Sequence, residues 1–302
     1  MRVITLCEAK GIQFERLSLA LGTFDGLHVG HMALIDAAKR GERECAVFTF
    51  DSVPMELFSE DPRPMRLFTL EEKVEAMQRA GVDYLCAVHF DKTLAEMAHE
   101  SFTDMIRSAF SPVRVIAGYN FTYGRHAEGN VDTLQQAGEA YGFEVCVIPP
   151  VFVEGEPVSS TRIRECLAAG SIERANKLLG YAYSVSGNVG RGRGIGHRML
   201  YPTANIKVGK EKLLPRKGVY AVDIITDGQE YPGVCNIGVN PTVSSGTRES
   251  VEAYVIGLER DMYDEKITVR FKRRIRDEIR FPDAQALKEQ IAQDIESVTG
   301  TK

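Results

Sequence analysis

Positive charge and long apolar runs are both scarce in this 302-residue sequence. Its 37 Lys and Arg are outnumbered by 42 Asp and Glu, for a net charge of −5. General nucleic-acid binders and membrane-surface binders need a basic excess, so both classes are disfavoured. No apolar run approaches the ~18 residues of a membrane-spanning helix. The apolar run near the N-terminus is too short for a signal peptide. We therefore expect neither nucleic acid nor membrane as a partner.

Paired cysteine motifs are also missing. None of the six cysteines has CxxC spacing, and Cys45, Cys86 and Cys146 lie inside apolar runs. A free thiol in such a run acts as a small hydrophobic group, and disulfides are rare in reducing compartments. This pattern predicts a reduced, soluble, cytoplasmic protein. The sequence contains no internal repeat and no Walker motif of the form G-x-x-x-x-G-K-[ST].

The first half of the chain alternates short apolar runs with helical periodicity. The runs lie at residues 17–21, 45–50, 84–90, 113–117 and 143–148, and amphipathic segments lie between them at 70–80, 101–110 and 131–141. Strands separated by helices of this length form right-handed βαβ crossovers, which build a parallel sheet. Ligands of such sheets bind at the carboxyl ends of the strands.

The pattern changes near residue 180. Two short helical segments, 161–169 and 172–179, each end at a glycine, and strand-like runs with turn residues such as Asp227-Gly228 follow. Period-two alternation with Asp-Gly turns favours an antiparallel closed barrel. A last helix is predicted after Asp283 as its N-cap. We therefore predict an α/β Rossmann-like domain over residues 1–182 and a β-barrel domain over residues 183–302.

The segment LALGTFDGLHVGHMALIDAAKRG, residues 19–41, has its strand, glycines and helix in the order that is typical of a nucleotide-binding site. After a buried strand, Gly22, Gly26 and Gly30 loosen the backbone, and a helix is predicted to begin at about His31. Free N–H groups and the positive end of the helix dipole make such a junction an anion site. The same dipole disfavours an imidazolium, so at least one of His28 and His31 is expected to be neutral there. A zinc site is disfavoured because no third ligand lies at metalloprotease spacing.

The string G-x-F-D-G-x-H-x-G-H resembles the first signature of the nucleotidyltransferase superfamily, in the form found in bacterial FAD synthetases. S-S-T-x-I-R at residues 159–164 resembles the second signature; without the first, it would equally be a surface helix capped by Ser159 or Ser160. The resemblance implies adenylyl transfer, in which the phosphate of FMN attacks the α-phosphorus of ATP. It implies catalytic roles for His28, His31 and Arg164, and nucleotide binding by Gly22, Phe24, Asp25, Gly30, Ser160 and Thr161.

The loop G-Y-N-F-T-Y-G, residues 118–124, also resembles the family. The resemblance implies that Asn120 contacts flavin or adenine and that Phe121 or Tyr123 offers a ring face; of these we assign Asn120 and Phe121 to flavin binding. By pattern alone, Gly118 and Gly124 bracket an ordinary tight loop. One family position differs: many members carry Pro-His-Pro after the second strand, where this chain has Val53 in place of the histidine.

A second glycine-rich segment, residues 187–206, reads GNVGRGRGIGHRMLYPTANI. Alone, it is compatible with a phosphate-binding loop, a linker or an RNA-contacting tract. Thr203 and Asn205 place a hydroxyl and an amide oxygen on one face of an extended segment, and both are hard donors suited to Mg²⁺.

The string P-T-A-N resembles the riboflavin kinase signature, and the downstream G-V-Y and N-I-G-x-x-P-T follow in family order. The loop departs from the family at His197, which replaces arginine, and at Leu200, which replaces glycine. By pattern alone Glu252 is an acidic residue on a strand. The resemblance makes Glu252 the general base for the riboflavin 5′-hydroxyl, Gly192 and Gly196 nucleotide-binding residues, Thr203 and Asn205 metal ligands, and Arg276 a flavin contact.

Both resemblances together cover essentially the whole chain. They predict a bifunctional enzyme that uses ATP and Mg²⁺ to convert riboflavin to FMN and FMN to FAD. Two alternatives remain open: a monofunctional FAD synthetase with an inactive kinase module, and an RNA-binding protein that uses the Arg-Gly loop and the basic strand at residues 270–276.

Overall fold

The computed structural model describes residues 1–41, 43–60, 65–190, 203–241, 247–258 and 260–300. The chain forms two compact units, Met1–Ser160 and Thr161–Lys302. The domain boundary expected between residues 182 and 183 stays a prediction. Within the described ranges, no helix is long and apolar enough to cross a membrane.

The first unit is built on a six-stranded sheet in the order β1-β4-β3-β2-β5-β6, with every neighbouring pair parallel. The predicted parallel α/β architecture is confirmed; the short edge strand β1 was not predicted. The strands are β1 (Arg2–Val3), β2 (Leu17–Leu21), β3 (Glu44–Phe50), β4 (Tyr84–Val88), β5 (Arg114–Gly118) and β6 (Glu144–Ile148).

Helices occupy the connections between these strands, and their ends carry sequence-encoded caps. In α4, Thr69 and Glu72 form a reciprocal capping box, and α7 ends at Gly142 with a φ of 80°. The helices are α1 (Leu6–Ala9), α2 (Val29–Ala38), α3 (Met55–Phe58), α4 (Leu70–Arg79), α5 (Lys92–Ala95), α6 (His99–Phe110) and α7 (Val131–Tyr141); a small ribbon, β7 (Phe152–Val153) and β8 (Glu156–Pro157), follows.

Strand β2 lies at the point where the strand order reverses. From β2 the chain builds outward through β3 to β4, and it then returns to add β5 and β6 on the other side. All five residues of β2 are buried, as in a strand covered on both faces. The carboxyl ends of β2 and β5 therefore flank the crevice where open α/β sheets bind ligands.

The second unit is a closed antiparallel barrel in the order β10-β13-β12-β11-β14-β9, as predicted. Asp227 and Gly228 form the tight turn between β11 and β12 with φ values of 49° and 73°. Asp283 caps the last helix as expected. The elements are α8 (Ser160–Ala169), which begins at the last residue of the first unit, α9 (Ile172–Leu179), β9 (Ser184–Gly190), β10 (Ala204–Val208), β11 (Gly218–Thr226), β12 (Gln229–Pro241), β13 (Thr247–Val255), β14 (Lys266–Arg276) and α10 (Ala284–Thr299).

Candidate active sites

The turn from β2 to α2 has an unusual backbone. Phe24, Gly26 and Leu27 have φ values of 46°, 82° and 38°, a left-handed region that ordinary side chains rarely adopt. The side chains of Phe24 and Leu27 are buried, so core packing holds this conformation. A Cβ on Gly22 would lie 3.1 Å from the Phe24 ring, so the glycine leaves space for that ring. Such strained turns concentrate at ligand sites.

His28 and His31 lie together at the start of α2. The helix begins at Val29 and not near His31 as expected, because His28 is its N-cap: its Nδ1 accepts the backbone N–H of His31 at 3.2 Å. We assign the proton of the neutral His28 ring to Nε2, since Nδ1 accepts. The two rings stack with centroids 3.6 Å apart, and a Cβ on Gly30 would lie 3.1 Å from the His28 ring. The turn thus presents two aligned imidazoles at a helix N-terminus.

Asp25 holds the turn from the inside. Its carboxylate is buried and accepts the backbone N–H groups of Leu67 and Phe68 at 3.1 and 3.0 Å. The Ser160 hydroxyl donates to the Asp25 carbonyl at 2.9 Å. The side chain of Asp25 is thus engaged in the fold, as is that of Phe24, and nucleotide contacts by these two residues stay predictions.

Sequence reasoning missed the buried Lys73. Its ammonium donates to the carbonyls of Thr23 and Phe50 at 2.9 and 2.6 Å and lies 3.3 Å from the Thr49 hydroxyl. Burial lowers the pKa of Lys73 to about 8, against the smaller opposing effect of Asp25. Its burial could have been predicted from its position on the apolar face of α4, which buries Lys73, Ala76 and Met77. Lys73 therefore ties the β2–α2 turn to the end of β3.

The loop after β5 lies at the same sheet edge as the β2–α2 turn, because β2 and β5 are parallel neighbours. Asn120 is exposed. Phe121 is half-buried and stacks on Tyr123 with ring centroids 5.5 Å apart. Tyr123 is itself buried, and desolvation raises the pKa of its phenol. The structure thus brings Asn120 and Phe121 to the crevice edge, whereas Val53, at the position of the missing histidine, is buried.

In the barrel, three polar residues form a row. Glu252 on β13 is directly opposite Asn205 on β10 and directly opposite Asn236 on β12. Direct antiparallel partners have Cβ atoms about 4.5–5.5 Å apart on the same face. The flanking residues Ala204 and Ala253 are buried, so the row lies on the face opposite the barrel core. Asn236 was not singled out from the sequence.

Two other predicted kinase-site residues have different settings. Thr203 immediately precedes β10 and is half-buried. Arg276 forms a bidentate ion pair with the buried Asp294 of α10, with Nη2–Oδ2 at 2.7 Å and Nε–Oδ1 at 3.0 Å. A flavin contact by Arg276 stays a prediction.

The structure does not place several of the predicted site residues together with the rest of either site. Gly192, Gly196, His197 and Leu200 lie outside the described residues. Thr161 and Arg164 lie on α8 in the second unit, where Thr161 is exposed and Arg164 is half-buried. Their roles toward a nucleotide stay predictions.

The basic strand β14 has intramolecular partners for each of its basic residues past Lys266. They are Glu230 for Arg270, Asp223 for Lys272, the Ser297 carbonyl for Arg273, Asp277 for Arg274 and Asp294 for Arg276. Four of these partners are carboxylates, and the partner of Arg273 is a neutral carbonyl. The RNA-binding alternative stays a hypothesis.

The described side chains include no group of three or more His, Cys, Asp or Glu arranged to hold a metal ion. The oxygen donors of Thr203 and Asn205, with one carboxylate nearby at Glu252, are of the kind that Mg²⁺ uses together with substrate phosphates.

Two family models match the chain. The FAD synthetase model matches residues 12–162, and the riboflavin kinase model matches residues 179–301. These ranges follow the order expected from the two sets of motifs.

Similar proteins extend the match to nearly the full length. Proteins named bifunctional riboflavin kinase/FMN adenylyltransferase are 36% identical over 286 residues in Escherichia coli (strain K12) and 34% identical over 281 residues in Listeria monocytogenes. The alignments cover 93% and 91% of this chain and 91% and 89% of those proteins. A crystal structure from Streptococcus pneumoniae, described as a macrolide-efflux protein, has a TM-score of 0.90 at 28% identity and covers 100% of both chains. This similarity concerns the fold. The efflux function in the description belongs to that protein and is not assigned to this chain.

Proposed function

The chain belongs to the bifunctional riboflavin kinase/FMN adenylyltransferase family, and we propose which of its residues carry each of the two ATP-dependent reactions. Riboflavin and ATP give FMN and ADP in the barrel. FMN and ATP give FAD and pyrophosphate in the α/β unit.

For the kinase reaction, the row of Asn205, Glu252 and Asn236 is the observation that supports the assignment most directly. Glu252 accepts the proton of the riboflavin 5′-hydroxyl as its oxygen attacks the γ-phosphorus of ATP. Thr203 and Asn205 would hold Mg²⁺, which neutralises phosphate charge when bound. Asn236 is well placed to orient the Glu252 carboxylate through an amide hydrogen bond.

For adenylyl transfer, the β2–α2 turn and the histidine pair support the assignment. A phosphate oxygen of FMN attacks the α-phosphorus of ATP, and the bond to pyrophosphate breaks. The nucleophile is already an anion, so the reaction needs alignment and charge stabilisation more than a strong base. His28 offers Nε2–H to a phosphate oxygen, and His31 stacks beside it. Ser160, Thr161 and Arg164 are proposed to complete the nucleotide contacts.

The flavin of the second reaction is proposed to lie at the carboxyl ends of β2 and β5. Asn120 is exposed there for hydrogen bonding, and the Phe121 ring, backed by Tyr123, offers an apolar face.

Incubation of the purified full-length protein with riboflavin, ATP and Mg²⁺, followed by separation of the flavins by chromatography, tests this proposal. We expect FMN to appear first and FAD to follow. Conversion of supplied FMN to FAD without any use of riboflavin would instead identify a monofunctional FAD synthetase. Absence of both products would contradict the proposal.

A further inference from the structure

The carboxyl ends of β3 and β4 are joined by two side-chain pairs that the proposed mechanism does not use. Asp51 follows β3, His89 follows β4, and His89 Nδ1 lies 3.0 Å from Asp51 Oδ2. The neighbouring rings of Phe50 and Phe90 pack edge to face with centroids 5.0 Å apart. The Asp51 N–H also donates to the Val88 carbonyl at 3.1 Å, so Asp51 is fixed against the end of β4.

This pair is connected to the nucleotide turn. Lys73 bridges the carbonyls of Thr23, in the turn, and Phe50, which immediately precedes Asp51. Neighbouring strands lie about 4.8 Å apart, so β4 is about 10 Å from β2 along the same sheet edge. An extended substrate that starts at the β2–α2 turn and runs along this edge therefore comes within reach of His89.

Stability alone does not account for the pair. Asp51 Oδ1 is buried and has no hydrogen-bond partner among the residues described. A buried carboxylate oxygen without a partner is unfavourable, and an ion pair to an exposed histidine offsets little of that cost. Strained or costly polar arrangements of this kind are typical of functional sites.

His89 has the geometry of an oriented ligand-binding histidine. Its side chain is 75% exposed. Asp51 accepts from Nδ1–H and thereby fixes the ring orientation, so Nε2 is the nitrogen left for a ligand. Nε2 has no hydrogen-bond partner in the described part of the chain.

We propose that His89, positioned by Asp51, binds a phosphate oxygen of the adenylyl-transfer substrates through Nε2–H. This inference rests on the proposed function of the first unit. A histidine ring held between a carboxylate and a phosphate donates a hydrogen bond to an anionic oxygen on each side, and each bond is charge-assisted by that anion. The phosphate belongs either to FMN or to the pyrophosphate end of ATP, which offer the same oxyanion chemistry. His89 is thus a substrate-binding residue, and Asp51 is a positioning residue.

Three substitutions at His89 in the full-length protein separate phosphate binding from a structural role. His89→Ala removes both contacts. His89→Asn keeps an amide near the position of Nδ1, next to Asp51, whereas His89→Gln places an amide near the position of Nε2. The exposed Lys92 is the matched control, because Lys92→Ala removes a cation nearby on α5.

We expect His89→Ala and His89→Asn to lower kcat/KM for FAD formation at least ~10-fold, with partial recovery in His89→Gln. Lys92→Ala should retain normal kinetics, and riboflavin phosphorylation should be unchanged in every variant. A raised KM for FMN identifies the FMN phosphate. A raised KM for pyrophosphate in the reverse reaction, which makes ATP and FMN from FAD, identifies the pyrophosphate end of ATP.

The positioning role of Asp51 has its own test. Asp51→Ala should raise the same KM as His89→Ala, and the double variant should be no worse than His89→Ala alone, with thermal unfolding midpoints reported for all three. Normal FAD synthesis by His89→Ala would overturn the inference, as would full recovery in His89→Asn without recovery in His89→Gln. A wild-type protein that forms no FAD from FMN and ATP would instead overturn the proposed function itself.

Discussion

Glu252 and Asn205 are direct cross-strand partners in the barrel, with β13 and β10 running antiparallel. The register puts the proposed general base and a proposed metal ligand on one face, about 4.5–5.5 Å apart at Cβ. This relationship ties the two proposed kinase residues to one another, and it gives the first prediction.

Glu252→Gln should lower the rate of FMN formation from riboflavin by ~10²–10⁴, the usual contribution of general-base catalysis. FAD formation from supplied FMN should be unaffected, because it takes place in the other unit. Glu249→Gln removes an exposed carboxylate from the same strand and serves as the control. Normal turnover by Glu252→Gln in a chromatographic flavin assay would make that carboxylate structural.

His28 serves both as a helix cap and as a proposed phosphate contact, and two substitutions distinguish these roles. Asparagine is a good N-cap, so His28→Asn should unfold near the wild-type temperature, while His28→Ala should lose about 1 kcal/mol. Both should lower FAD formation from FMN by ~10²–10³ and leave riboflavin phosphorylation unchanged. We choose His126→Asn as the control, because His126 is exposed and has a φ of 53° that asparagine tolerates. Wild-type FAD synthesis by both His28 variants would exclude a role in catalysis.

The second unit includes α9, and this suggests where a kinase fragment should begin. Asn176 donates from Nδ2 to the Phe271 carbonyl at 2.8 Å and accepts the Tyr183 N–H at 2.8 Å. We expect a fragment that begins at Thr161 to convert riboflavin to FMN and to unfold at a higher temperature than one that begins at Gly180. Calorimetry and flavin chromatography of both fragments provide the measurement. Equal unfolding temperatures would mean that α8 and α9 together add nothing to the stability of the barrel.

Arg276 and Asp294 fasten α10 to the end of β14. The Asp294 carboxylate is 3% exposed, so removal of the arginine leaves a buried charge without its main partner. Arg276→Gln and Asp294→Asn should each destabilise the barrel by about 3–5 kcal/mol, and the double variant should lose much less than the sum. Urea unfolding followed by circular dichroism gives these free energies. Strictly additive losses would show that the pair does not act as a unit.

The lowered pKa of Lys73 predicts how its contribution to stability changes with pH. Its pKa in the fold is about 8, below the ordinary value of 10.5. Between these values the unfolded chain binds more protons than the folded one, so the Lys73 contribution to stability rises with pH. The difference in unfolding free energy between the wild type and Lys73→Met should therefore shift in favour of the wild type by about 3 kcal/mol from pH 7 to above pH 10.5. A shift in the opposite direction, measured by urea unfolding in matched buffers, would show that the lysine stabilises the fold as a cation.

Local sequence patterns predicted much of the architecture. Apolar runs at the period of strands, separated by helices of ten to twelve residues, indicated the parallel sheet, and the Asp227-Gly228 turn indicated an antiparallel hairpin in the barrel. The start of α2 was predicted too late, because the imidazole of His28 acts as the cap and histidine is not among the residues that normally signal an N-cap.

The sequence by itself determined the order of the two units, the glycine-rich turn that positions His28 and His31, and the strand that carries Glu252, because these depend on spacing along the chain. Only the tertiary structure decided which polar groups meet. Lys73 reaches Thr23, Asp51 meets His89, and Arg276 meets Asp294 across long separations in sequence. These contacts depend on strand order and on barrel register, which also aligns Glu252 with Asn205 and Asn236. Strand order and register are decided by packing and backbone pairing among distant segments, and no local pattern encodes which partner each buried polar group finds.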